Sequence, residues 1–86
     1  MNLDQVKATL QQIVGAGDPN FAPAAQFCQQ VVAAAESGAM SNDEVRESLL
    51  DVQRQINIIE DMGGLQLKET LNLCINALIT IAGFVI

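Results

Sequence analysis

At 86 residues the chain has room for one domain and sits near the size at which a single core is only marginally stable without help from disulfides, metals or partners. Half of its residues are hydrophobic but only 3% are aromatic, with neither Trp nor Tyr, so a core has to be assembled from Leu, Ile, Val and Ala. Ten acidic against four basic residues give a formal charge of -6. The cations Lys7, Arg46, Arg54 and Lys68 are scattered, which excludes the basic patch that a nucleic-acid partner requires.

In chain order, Asn2 followed three residues later by Gln5 has capping-box spacing, and Leu3, Val6, Leu10 and Ile13 then recur at alternating three and four. A first helix is predicted over 3–14. Gly15-Ala16-Gly17-Asp18-Pro19-Asn20 is a string of breakers and reads as the longest loop. Pro23 suits the first position of a second helix, where its missing N–H costs nothing. That helix presents Phe27, Cys28, Val31, Val32 and Ala35 on its inner side and Gln26, Gln29 and Gln30 outward. Gly38 is a natural C-terminal stop.

Ser41-Asn42-Asp43-Glu44 supplies the strongest local signal: a Ser/Glu capping box, with two carboxylates in the first turn where the helix dipole favours them. Val45, Leu49, Val52, Ile56 and Ile59 form the inner face of the third helix, and Glu47, Asp51, Arg54 and Gln55 its outer face. Met62-Gly63-Gly64 is expected to end it. A fourth helix begins near Leu65 and runs to the C-terminus or close to it. The β-branched and aromatic runs Ile79-Thr80-Ile81 and Phe84-Val85-Ile86 admit a strand instead, but a lone strand has nothing to pair with. The fold class is all-α: residues 1–86 as a single helical domain, a small four-helix bundle with a strongly apolar C-terminal helix, completed by self-association.

That last helix is the feature on which a functional reading turns. Leu71 to Ile86 carry no charge, and their only polar side chains, Asn72, Asn76 and Thr80, recur every fourth position, a spacing that stacks them in one narrow stripe and leaves the remaining circumference apolar. Leu71, Cys74, Ile75, Leu78, Ile79, Ala82 and Val85 are expected to enter buried surfaces, while the stripe of Asn72, Asn76 and Thr80 sets register against a second copy or faces solvent at a seam of the bundle. A membrane span needs about 20 apolar residues, and this segment falls short, with no polar anchor after Ile86. A membrane-active or tail-anchored protein is therefore the second reading rather than the first.

Little in the sequence supports catalysis. There is no histidine, and Cys28 and Cys74 are far apart without CxxC spacing, which removes the commonest zinc and nucleophile arrangements. Neither Asp43-Glu44 nor Glu60-Asp61 has the alternate oxygen spacing of a calcium loop. Both thiols are expected as small hydrophobes on apolar faces. Glu47-Ser48-Leu49 is similar over three residues to the Asp-Ser-Leu attachment motif of acyl carrier proteins. The pattern departs at its first position, and Ser48 falls inside the helix that Ser41 opens, so no membership follows. Met1-Asn2-Leu3-Asp4 shows no basic flank leading into an apolar run. The expectation is a non-enzymatic structural or adaptor protein, without cofactor or metal, cytoplasmic or within a macromolecular assembly such as a virion. Its partner is itself or another protein.

Overall fold

The first helix, α1 (Leu3–Ala16), starts where the sequence says. Asn2 Oδ1 accepts the Gln5 N–H at 2.8 Å and Gln5 Oε1 accepts the Asn2 N–H at 2.9 Å, so two donors orphaned by the helix start are satisfied reciprocally. The helix buries Val6, Leu10 and Ile13. It runs two residues beyond the predicted end, because Gly15 and Ala16 still follow the helical path. The stop is Gly17, whose φ of 70° lies in the left-handed region open to glycine. The structure, a computed structural model, describes residues 2–59 and 64–81.

The breaker string after α1 is more ordered than a loop. Asp18 Oδ1 accepts the N–H groups of Asn20 (2.8 Å) and Phe21 (3.2 Å), and the Asp18 carbonyl accepts the Ala22 N–H at 2.9 Å. Asp18 thus caps a helical turn with Pro19 in its first position, where proline is pre-organised. That turn leads directly into α2 (Ala22–Glu36), with Pro23 in its first turn.

α2 buries Ala25, Cys28, Val31, Val32 and Ala35. Phe27, predicted on this face, is instead 44% exposed, and the aromatic core position belongs to Phe21, at 0%. The reason is register: Ala25, Cys28, Val32 and Ala35 follow the three–four spacing of one stripe, and Phe27 stands about 100° away from Cys28 around the axis. The end of α2 is a Schellman motif. Gly38, at φ 79°, donates to the Ala35 carbonyl and Ala39 to that of Ala34.

α3 (Asn42–Asn57) opens with the predicted box: Ser41 Oγ accepts from Glu44 N at 3.2 Å, and Glu44 Oε1 from Ser41 N at 3.1 Å. Val45, Leu49, Val52 and Ile56 form its buried face. It stops at Asn57, leaving Ile58 79% exposed and Ile59 half-buried, earlier than the predicted Met62-Gly63-Gly64 stop, of which Met62 and Gly63 lie outside the described residues. The end is capped from another helix. Lys68 Nζ donates to the carbonyls of Asn57 and Ile59, both at 3.1 Å, supplying a cation where the helix carries its negative end.

α4 (Leu65–Thr80) completes the bundle. α1 packs on α2 and α4, and α3 packs on α2 and α4, so the four helices close a ring around one core. Lys7–Glu36 and Gln11–Gln29 contacts run α1 and α2 antiparallel, and Gln53–Asn76 and Asn57–Asn72 do the same for α3 and α4. Phe21 plugs the core where the chain enters α2. No buried side chain in the described core is polar or charged. The described residues contain no strand, and Ile79-Thr80 belong to α4.

Candidate interaction surface

The predicted interface residues of the last helix separate into two sets. Leu71, Cys74, Ile75 and Leu78 are fully buried in the chain's own core, and Ile79 is half-buried against it. Their burial is supplied by the chain's own other helices, so they offer no surface to a second copy. Ala82 and Val85 lie outside the described residues.

The amide stripe is also taken up within the chain. Gln53 Nε2 on α3 donates to Asn76 Oδ1 at 2.9 Å, and Asn72 Nδ2 donates to Asn57 Oδ1 at 3.0 Å. These two bonds fix the register of α4 against α3, at a seam open to solvent. Asn72 Oδ1 is sealed from solvent with no donor, so part of what the seam gains is offset by an unsatisfied acceptor. Thr80 Oγ donates back to the Asn76 carbonyl at 2.8 Å, a local bond that asks for no partner.

What α4 turns outward is different. Leu73, 62% exposed, stands on the side opposite Leu71 and Ile75; Ala77, half-buried against the core, and Ile81, half-buried, follow at fourth positions. Together with Asn76 and Thr80 they line a shallow hollow of about 390 Å³. The sequence stripe drew attention to the asparagines and away from Leu73. The available signal was that Leu71 and Leu73, two residues apart, cannot share a helix face. This strip bears no charge between Leu73 and Ile81; Glu69 stands one turn before it.

A second apolar surface, unforeseen from sequence, lies between α2 and α3. It is a groove of about 370 Å³ floored by Ala24, Val52 and Ile56, walled by Phe27 and Ile59, and edged by Asp51. Ala24 makes it: a methyl group at the middle of the seam cannot fill the space between Phe27 and Ile59.

Every described cation is engaged. Lys7 pairs with Glu36 at 2.7 Å, Arg46 with Asp43 at 3.7 Å, and Arg54 with Asp51, while Lys68 holds the end of α3. The charge left facing outward is carboxylate. Cys28 and Cys74 are buried free thiols. Burial, and secondarily the nearby Cys74, pushes Cys28 up from 9.0 to about 12, and burial alone raises Cys74. Both are protonated at neutral pH, the opposite of an activated nucleophile. Among the described residues no cluster of three carboxylates or thiols converges as a metal site, and no helix is long and apolar enough to cross a membrane. Ser48 is half-buried within α3, far from the exposed helix start an attachment serine needs. No protein-family model, no curated protein and no solved structure matches the chain.

Proposed function

We propose that this chain is a non-enzymatic structural or adaptor protein working through apolar helix–helix association, with the outward strip of α4 as its self-association surface. The observation that carries the reading is Leu73, a large aliphatic side chain 62% exposed on a strip of an acidic protein that bears no charge from Leu73 to Ile81. Two copies repel each other wherever carboxylates meet; along Leu73, Ala77 and Ile81 they can approach without doing so.

Geometry limits the strength of the pairing. In a two-fold pair Leu73 and Ile81 each count twice, worth about 4–8 kcal/mol of apolar burial before the roughly 4–15 kcal/mol cost of association. A free pair is therefore weak. Inside an assembly that already holds copies side by side, the same strip suffices because most of that cost is met by the other contacts.

Sedimentation velocity over a concentration series tests this. The expected result is a monomer–dimer equilibrium that Leu73→Lys abolishes while leaving the far-UV circular dichroism unchanged. A monomer at every concentration overturns the proposal, as does recovery of the protein only in detergent or on vesicles.

A further inference from the structure

The two thiols have no part in the association just described. Cys28 on α2 and Cys74 on α4 are both 0% exposed, on helices at opposite corners of the ring, since α2 and α4 each pack on α1 and α3. They belong to one core with Leu71, Ile75 and Leu78 of α4 and Ala25 and Val32 of α2. Neither hollow described above is lined by a thiol, and no buried side chain in the described core is polar or charged. The closed ring therefore has no place for a group carried on sulfur. A packed core resists even an added methylene, and a glutathionyl cap brings carboxylates, an ammonium and peptide units that this core cannot pair.

Release of one helix uncovers both thiols. The inner face of α4 carries Cys74, and its withdrawal opens the centre onto which α2 turns Cys28. α1 and α3 open with side-chain capping boxes and α2 follows the Asp18 turn, whereas α4 starts at Gly64 with no side-chain cap and has no charge placed for its dipole at either end. Elements so weakly fastened are those that open below the cost of global unfolding. We infer that the bundle is gated by thiol–disulfide exchange: release of α4 exposes Cys28 and Cys74 to a low-molecular-weight disulfide, and a cap on either sulfur excludes α4 from the core and holds the ring open. In that exchange the cysteine thiolate attacks one sulfur of the small disulfide, whose S–S bond breaks as a new one forms to the protein. The departing half leaves as a thiolate and takes up the proton that the cysteine gave up, so the cysteine is oxidised, the departing half is reduced, and excess small thiol reverses the step. The closed chain supplies no attacker, because burial holds the Cys28 thiol up at about 12 and raises Cys74 as well. Closure and capping thus exclude one another, whatever the α4 strip binds.

The test incubates the full reduced chain with oxidised glutathione at neutral pH, counting caps by mass spectrometry and following the fold by far-UV circular dichroism in the same samples. The expected result is capping of Cys28 and Cys74 at least about a hundredfold slower in buffer than in urea. The capped chain is expected to lose its cooperative urea transition and to regain it when dithiothreitol removes the caps. Lys68→Met, which loosens α4 where it holds the end of α3, quickens capping of both sulfurs about fivefold. Asn2→Ala, which removes the α1 box, changes the rate by less than about twofold, since α1 stays in place when α4 leaves. Capping as fast in buffer as in urea, a capped chain with the parent's urea midpoint, or equal acceleration by the two substitutions overturns the inference. So does an intrachain Cys28–Cys74 disulfide that leaves the bundle closed.

Discussion

Phe21 and Phe27 stand six positions apart in one stretch of sequence and lie in opposite environments, a contrast that stability can measure. Phe21 is 0% exposed and is the largest of the fully buried side chains among the described residues. Burying a phenylalanine removes about 150–250 Å² from water, worth about 4–6 kcal/mol at 25 cal/mol per Å². Truncations of buried aromatics cost about 3–5 kcal/mol. A domain of this size holds a total of about 4–13 kcal/mol, so Phe21→Ala is expected to remove a large fraction of it. Phe27, 44% exposed, hides about half its area at a lip where neighbours and water can close in, and Phe27→Ala is expected to cost about 1 kcal/mol. Urea unfolding followed by far-UV circular dichroism is the assay, since a chain without Trp or Tyr gives no useful intrinsic fluorescence. With a slope of about 1 kcal/mol per molar urea, the midpoint falls by about 3 M or more for Phe21→Ala and by about 1 M for Phe27→Ala. Equal shifts, or a larger one for Phe27→Ala, would refute the assignment of Phe21 to the core and with it the register of α2.

Lys68→Met keeps the aliphatic stem and removes both hydrogen bonds to the end of α3; the expected loss is about 1 kcal/mol, or about 4–8 °C in Tm. Faster hydrogen exchange at the Ile59 amide, which bonds to the Ile56 carbonyl, would localise it, and an unchanged exchange pattern would remove Lys68 as the cap. The buried thiols predict an alkaline limit. Below about pH 9 both folded and unfolded chains hold the thiol protons; above it the unfolded chain releases the Cys28 proton while the fold keeps it up to about 12. Stability therefore falls by about 1.4 kcal/mol per pH unit for that group through this window. Cys28→Ala should flatten the decline of urea midpoints above pH 9, and an identical slope in variant and parent would show that Cys28 is not held neutral by burial.

Features decided within one helical turn were legible before the fold was known. The Asn2/Gln5 and Ser41/Glu44 boxes and the Gly38 stop depend on residues three to five apart, and the Val45–Ile56 face of α3 stood out because its other side is charged. α2 was harder because it is apolar or small almost throughout; with alanines at so many positions, periodicity could not say whether Phe27 or Ala25 faced inward. The Asp18 turn was hidden by reading Asp-Pro as a breaker when it was a cap. On α4 the polar stripe was read correctly as a stripe, but its partners lie 15 and 23 residues away on α3, and no local pattern names a partner across a seam. The α2/α3 groove was the least legible of all, since it is made by the absence of side-chain bulk at Ala24 between two helices whose pairing only the fold reveals.

The closed ring of helices also bears on how the chain reaches this state. Three of its four seams, α1 with α2, α2 with α3 and α3 with α4, join helices adjacent in sequence, so each can form as a local hairpin between neighbouring segments. Only the α1–α4 seam requires distant segments to meet, and because the entropy of closing a loop grows with the logarithm of its length, that last step costs little more than the local ones. Such a topology belongs with the rapid folders, in which contacts are mostly local. It also orders events during synthesis. Until α4 has emerged to deliver Leu71, Ile75 and Leu78 to the centre, the inner faces of the first three helices have no fourth wall, and a newly made chain is at its most adhesive in the interval before the ring shuts.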